Sequence, residues 1–295
     1  MLRSPRKRVL VGSLRVVAHS AAHSLKDRVT RGSSVAAFDL DMSRERVYEI
    51  LDRVVAAYTQ CSSYRDWGTL KSTTCRSLSE NGVVTEEGEF STAYIRPDRF
   101  RFDYLTSRSG LPIKSERSVF WTQGNRVKSW RRNGTRTQSF LDIEHALFQL
   151  SSDSGVSSRF VPRLLLPDGA SNFLRERFGD SDFVGIELSE GFDCFKLQFK
   201  STASHVSRVW IDTCTFLVRR LETDTLSTLA NFEVAELEEI RDRMISYGFH
   251  SQFFDKADWY DSFKDSRSIL TLNYRPEIDC PINREVFNFK PPSTL

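Results

Sequence analysis

The chain has no run of eighteen apolar residues, no two cysteines at Cys-x-x-Cys spacing and no Gly-x-Ser-x-Gly sequence. The first absence excludes a transmembrane helix of the usual length. The second argues against a zinc site, and the third against the serine turn of many hydrolases. His145, His205 and His250 fall on different predicted elements without a recurring acidic partner. We therefore predict no catalytic residue, no metal site and no cofactor, and expect that the protein is not an enzyme.

The cysteines are few and odd in number, with five in 295 residues. Their spacing therefore does not predict a set of disulfide bonds. The sequence is compatible with one or two disulfide bonds. Cys194 and Cys214, which lie in neighbouring predicted strands, are the pair that we expect to be closest.

The excess of positive charge is confined to the N-terminal segment. Residues 1–40 carry eight Lys/Arg and two Asp/Glu, whereas the net charge of the whole chain is only +3. A basic tail on a slightly acidic body argues against nucleic-acid binding. The apolar stretch at residues 9–14 begins like a secretion signal, but Arg15 interrupts it. We expect residues 1–40 to be a disordered basic tail or a poor signal segment.

Aromatic residues, in contrast, are abundant, with 22 Phe in the chain. Phe100, Phe102 and Tyr104 alternate with charged residues, which predicts an antiparallel strand with one apolar face. A large sheet with such a face and no catalytic group is typical of a container. The residues predicted to line its cavity are Phe90, Phe100, Phe102, Tyr104, Phe195, Leu197 and Phe199. The alternative is that the same side chains form a core against the N-terminal helix.

Hydrophobic periodicity predicts about ten strands and four or five helices. Ser43 is expected to cap an amphipathic helix that runs to Tyr58. Short helical pieces follow between Phe140 and Phe178, and a charged helix is expected at Ser227–Tyr247. The strands are expected at Trp67–Arg76, Val83–Ile95, Phe100–Thr106, Arg117–Thr122, Arg126–Arg132, Asp182–Leu188, Asp193–Lys200, Ser204–Asp212, Phe216–Glu222, Ser268–Arg275 and Arg284–Lys290. The fold class is mainly β (α+β).

Four stretches resemble motifs of the LolA/LolB-like lipoprotein-carrier superfamily. They are Glu87–Phe90 with Ile95–Phe100, the hairpin Val119–Val127, the pair Val209–Asp212 and Leu217–Leu221, and the ending Phe287–Pro292. Their order and spacing cover about residues 43–292. Gln123 stands where the family's hairpin turn usually has Asp, and the stretch at 225–266 is longer than the carriers need.

The resemblance implies an incomplete antiparallel barrel, spanning residues 41–295, with helices across its open mouth. It also implies a hydrophobic cavity that holds a lipid or the acyl chains of a lipoprotein. By the same resemblance, Arg96 would latch the helical lid, formed by the pieces between Phe140 and Phe178, through lid backbone carbonyls. The expected location is the periplasm or cell envelope, and we expect a monomer.

An alternative hypothesis keeps the same fold but assigns it a different function. RseB-like envelope sensors have the same fold and bind a membrane-protein partner. The insert at 225–266, with Phe253, Phe254, Trp259 and Tyr260, would then be the partner surface. Copurified lipid distinguishes a carrier from an enzyme, and a stable protein partner distinguishes a sensor from a carrier.

Overall fold

The computed structural model describes residues 34–76, 83–108, 116–123, 126–132, 137–140, 142–147, 157–166, 170–202, 204–227, 238–239, 241–242 and 266–292. The predicted turns at 81–82, 124–125 and 133–134 lie outside these residues. So do the segment 1–33 and most of the insert at 225–266 with its predicted helix, of which residues 238–239 and 241–242 are helical. The division of the chain near residue 40 and the role of the insert remain predictions.

The first helix, α1, spans Ser34–Gln60. Its predicted apolar stripe is confirmed, because Val47, Leu51, Val54 and Tyr58 are all buried. The predicted start is wrong, since Ser43 lies inside the helix and not at its cap. Residues 34–42 include good helix formers and contain neither Gly nor Pro, so nothing breaks the helix before Ser43.

Among the described residues, twelve strands follow α1, and three short helices lie between β6 and β7. The strands are β1 Ser63–Arg76, β2 Val83–Ile95, β3 Arg99–Arg108, β4 Glu116–Gln123, β5 Arg126–Arg131, β6 Gln138–Phe140, β7 Asp182–Ser189, β8 Phe192–Thr202, β9 His205–Asp212, β10 Val218–Ser227, β11 Ser266–Tyr274 and β12 Glu277–Ile278. The helices are α2 at 143–147, α3 Val161–Leu164 and α4 Ala170–Phe178.

The strands form one antiparallel sheet in the order β6-β5-β4-β3-β2-β1-β11-β10-β9-β8-β7, with β12 beside β1. Two meanders, β1–β6 and β7–β11, meet where β1 pairs with β11. The sheet is open, because β6 and β7 are the two ends of this order. The mainly β, unclosed sheet predicted from the sequence is confirmed, with twelve strands instead of about ten.

One face of the sheet, here called the inner face, is covered by the helices. Phe90 of β2 stacks on Phe102 of β3 at 6.2 Å between ring centroids and meets Tyr274 of β11 edge-on at 5.2 Å. These rings belong to one large core cluster that also contains Leu51 of α1 and Phe178 of α4. The main core therefore lies between the inner face and the helices.

Gly68 of β1 gives the Phe90 ring its place on the inner face. The two residues are directly opposite each other in the β1–β2 pair. A Cβ at residue 68 would come within 2.5 Å of both the Phe90 ring and the carbonyl oxygen of Asn273. The ring thus packs where a side chain at residue 68 would otherwise stand.

We expect Gly68→Ala to destabilise the fold by about 1–3 kcal/mol, because a methyl group would be forced into a filled core. Urea unfolding measures this cost. Adding Phe90→Leu to the variant should recover part of the loss, since the smaller side chain leaves room. A cost that is unchanged in the double variant would show that the strain arises at the Asn273 backbone instead.

The last predicted strand is wrong. Residues Arg284–Phe287 form a 3-10 helix, and the Asn283 side chain caps it by accepting a hydrogen bond from Glu285 N at 3.0 Å. The alternation of Phe287 and Phe289 predicted a strand, but the two rings have separate environments. Phe287 is buried, whereas Phe289 packs on Trp121 and Trp130 in a second core cluster.

The five cysteines are free thiols. Cys194 is buried opposite Asp212 in the β8–β9 pair, and Cys214 is exposed in the turn beyond Asp212. The pair that the sequence left open is therefore not formed: Cys194 is buried within β8, whereas Cys214 is exposed in the turn.

Candidate ligand-binding face

All seven residues predicted to line a cavity lie in or against the inner-face core. Strand pairing explains this. Phe90 is opposite Tyr104 and Thr92 is opposite Phe102, so the even-numbered side chains of β2 and β3 lie on the same face of the sheet. Five are fully buried and two are partly buried against the same cluster. The buried five are Phe90, Phe100, Phe102, Tyr104 and Leu197, and the other two are Phe195 and Phe199.

The helices cover this face directly. Val161 and Leu164 of α3 and Leu174 of α4 are buried in the same cluster as the strand aromatics. Phe160 packs edge-on against Phe178 at 5.9 Å. The side chains therefore form a core against helices in this state, and a ligand can reach them only if helices move away from the sheet.

Two exposed ion pairs join helix α1 to α4 and to the residues just after it. Arg175 of α4 lies 2.8 Å from Asp52, and Arg44 lies 3.4 Å from Asp180, all with side chains more than half exposed. Exposed pairs of this kind contribute little to stability. The contact that resists separation of α1 from α4 is thus chiefly apolar packing.

Arg96 binds the end of α1. Its Nε donates to the Cys61 carbonyl at 2.7 Å, and a terminal nitrogen donates to the Tyr58 carbonyl at 2.8 Å. These are carbonyls that a helix end leaves without intrahelical partners. Arg96 therefore does satisfy helix-end carbonyls, as predicted, but the helix is α1 and not one of the pieces between Phe140 and Phe178. The reason is geometric, since Ser62 at the end of α1 receives the Arg96 backbone N–H at 3.0 Å.

A buried carboxylate, Asp66, lies on the inner face of β1. One oxygen accepts from the Tyr64 hydroxyl at 2.8 Å and the other from Thr92 N at 2.6 Å. Burial raises the pKa of Asp66 to about 6, and the hydrogen bonds from Tyr64 and Thr92 limit the rise. Tyr58 of α1 stands beside Tyr64, at 5.6 Å between rings, and accepts the Val218 N–H at 3.1 Å.

Sequence reasoning missed this polar group. The predicted first strand began at Trp67, so Tyr64 and Asp66 were left in a loop. The available signal was the alternation of side chains along a strand. If the strand begins at Ser63, every second residue from Tyr64 to Leu70 lies on one face. The charged pair Arg65-Asp66 hid that alternation.

The Trp210-Ile211-Asp212 motif has a clear structural basis. Asp212 accepts the N–H groups of Cys214 and Thr215, both at 2.9 Å, and thereby shapes the turn before β10. Its second oxygen binds Arg219 at 2.7 Å, with only 9% and 5% of the Arg219 and Asp212 side chains exposed. The motif thus holds the β9–β10 hairpin together.

Within the residues that the structure describes, no group of three or more His, Cys, Asp or Glu side chains is placed to hold a metal ion. His205 is bonded to Thr225 at 3.0 Å, which gives it a structural role. Among the helices that the structure describes, none has the length and apolar character to cross a membrane.

Comparison with known proteins finds solved structures that are similar to this chain. No protein-family model matches it, and no curated protein is similar to it. One similar structure is a domain assigned to outer membrane lipoprotein sorting from Vibrio parahaemolyticus, with 11% identity, coverage of 83% of this chain and 97% of that chain, and a TM-score of 0.33. Another is the MucA/MucB complex of Pseudomonas aeruginosa, with 11% identity, 82% and 60% coverage, and a TM-score of 0.36.

A third is a LolA superfamily protein from Nitrosomonas europaea, with 8% identity, coverage of 82% of this chain and 96% of that chain, and a TM-score of 0.26. At these identities and TM-scores, the fold rests on the chain's own open antiparallel sheet, and the family resemblance rests on its motifs.

Proposed function

We propose that the protein is a non-enzymatic carrier in the periplasm or cell envelope. It binds a lipid, or the acyl chains of a lipoprotein, against the inner face after the helices move aside. The observation that carries this proposal is the covering of the aromatic inner face. That face is closed by α1 and three short helices instead of by a second sheet.

The energetics favour such an exchange. Each buried methylene of an acyl chain contributes about 0.8 kcal/mol. A chain of ordinary length can therefore replace the apolar contacts that the helices make with Phe90, Phe102 and Leu197. The aromatic rings remain buried in both states, by helices in one and by lipid in the other.

The first test is direct. We expect mass spectrometry of material extracted from natively purified protein to find an acyl lipid in near-stoichiometric amount. The neutral apolar probe N-phenyl-naphthylamine should bind to the delipidated protein and be displaced by added lipid. Protein that yields no lipid and binds no probe would contradict the proposal.

Replacing Arg96 tests whether α1 must move. Arg96→Leu removes two charge-assisted hydrogen bonds from the end of α1, so we expect α1 to leave the sheet more often. The fold should persist, and the apparent affinity for N-phenyl-naphthylamine should rise about tenfold, because the binding-competent state becomes more populated. Probe titration measures the affinity, and amide hydrogen exchange in α1 measures its release.

The matched control is Arg65→Leu. Arg65 also makes two hydrogen bonds, at 2.9 and 2.6 Å, but to exposed Glu277 and not to a helix end. It should change neither the probe affinity nor the exchange of α1. Equal effects in both variants would mean that loss of an arginine, and not release of α1, controls binding.

A second candidate function is binding of a protein partner that adds a strand to β7. Within the described residues, β7 ends the sheet, and Ile186 and Leu188 are 56% and 73% exposed there. An exposed apolar edge strand is a template for strand addition. Leu188→Lys should then remove a partner that copurifies with the protein and leave probe binding intact. Copurification that survives the substitution would exclude this edge.

A further inference from the structure

Arg177 of α4 is a partly buried cation beside the apolar layer between helices and sheet. Its guanidinium carbon lies 5.8 Å from the ring centroids of both Phe160 and Phe178. Its Nε is shut off from solvent and has no hydrogen-bond partner. Burial, and next the nearby charge of Arg159, lower the pKa of Arg177 to about 10. The group is still charged at neutral pH.

No carboxylate among the described residues forms an ion pair with this guanidinium. Asp66, the buried acid of the inner face, has both oxygens occupied by Tyr64 and Thr92. The two aromatic rings attract the cation, but a ring face offers no acceptor to the N–H at Nε. A buried N–H without an acceptor is costly, so an anionic oxygen beside Nε would stabilise this arrangement.

A second donor without a partner lies nearby on the sheet. The hydroxyl of Tyr274 in β11 is buried and unbonded. Tyr274 belongs to the same core cluster as Phe160 and Phe178, the two rings beside Arg177. The Arg177 charge acts to lower the pKa of Tyr274. Burial dominates and raises that pKa, so the hydroxyl keeps its proton and can donate. One donor thus comes from α4 and the other from the sheet beneath it.

We propose that Arg177 and Tyr274 bind the anionic head, carboxylate or phosphate, of the lipid whose chain covers the inner face. This inference rests on the function proposed above and adds the charge of the ligand. A guanidinium and a hydroxyl are suited to one anionic oxygen group. The surrounding Phe160 and Phe178 rings are suited to the first methylenes behind that head.

The test compares dodecanoate with dodecanol, which has the same chain and a neutral head, at about pH 8. Each compound displaces N-phenyl-naphthylamine from the delipidated full-length protein. We expect Arg177→Gln to weaken dodecanoate at least about tenfold and to leave dodecanol unchanged. The matched control is Arg175→Gln on the same helix, because Arg175 is exposed and pairs with Asp52. It should change neither affinity.

Tyr274→Phe keeps the inference testable if Arg177→Gln fails to fold. The hydroxyl has no partner to lose, so the variant should be at least as stable as the natural protein, and dodecanoate should still bind several-fold more weakly. Equal binding of dodecanoate and dodecanol in every variant would overturn the anion site and leave the carrier function standing. If neither compound nor the probe binds, the carrier function itself fails.

A last comparison concerns the source of the anion. Inorganic phosphate alone should compete poorly with dodecanoate, because it lacks the chain that displaces the helices. Phosphate that competes as well as dodecanoate would overturn the assignment to a lipid.

Discussion

Arg219→Met is expected to cost about 3–5 kcal/mol of unfolding free energy, the typical penalty for leaving one buried charge without its partner. Burial alone would push the pKa of Asp212 upward. Hydrogen bonds from Thr215 N, Arg219 and Cys214 N more than offset it and hold that pKa below its usual value. Without Arg219 the carboxylate loses its counter-charge, and the base of the β9–β10 hairpin loses its cross-link. Urea unfolding measures the loss.

The double variant Asp212→Asn with Arg219→Met should regain most of this energy. The asparagine oxygen can still accept the two N–H groups of the turn, and methionine can still pack on Phe192, over which Arg219 now lies at 3.7 Å. Arg65→Met is the surface control, because its pair with Glu277 has similar geometry but half-exposed side chains. It should leave the unfolding midpoint nearly unchanged. Additive costs in the double variant would show that Asp212 and Arg219 act independently.

Asp66→Asn should abolish a pH dependence of stability that runs opposite to the usual acid sensitivity. The folded-state pKa of about 6 lies above the ordinary value of 3.8, so the folded protein holds this proton more tightly than the unfolded chain. The contribution of Asp66 to stability is therefore complete below about pH 4 and is lost as pH rises through 6. The shift corresponds to about 3 kcal/mol.

Comparing the two proteins isolates this group from the other carboxylates. The unfolding free energy of the natural protein minus that of Asp66→Asn should fall by about 2 kcal/mol between pH 4 and pH 7. Tyr64→Phe removes a hydrogen bond that lowers the Asp66 pKa, so it should move the change to higher pH. A difference that stays constant with pH would mean that Asp66 is ionised equally in both states.

Strands with strong alternation were predictable from the sequence, while short or capped elements were not. Strand β2 has the predicted bounds Val83–Ile95, and Phe100–Thr106 lies within β3. Strands β6 and β12, with three and two residues, are too short to carry a period. The C-terminal Phe287-x-Phe289 has the period of a strand, but the Asn283 cap turns it into a 3-10 helix.

The candidate site was likewise predictable only in part: its apolar residues were predicted, and its polar residues were not. The apolar side chains of the inner-face core followed from parity within single strands, which is local information. The polar group did not, because Tyr58 of α1 and Tyr64 and Asp66 of β1 come together only through the path of the whole chain. The partner of Arg96 was missed for a related reason: a side chain can be predicted to bind a helix end, but which helix ends beside it is set by the path of the chain.

The pairing of β1 with β11 has a consequence for folding during synthesis of the chain. Thr69 and Asn273 are adjacent there although 204 residues separate them in the chain. The N-terminal meander and α1 leave the ribosome long before the strand that joins them to the second meander. Until β11 emerges, β1 is an unpaired edge on one side, and long-range pairing of this kind is slow. A nascent chain with an aromatic face and an open edge is the form in which this protein most needs a chaperone.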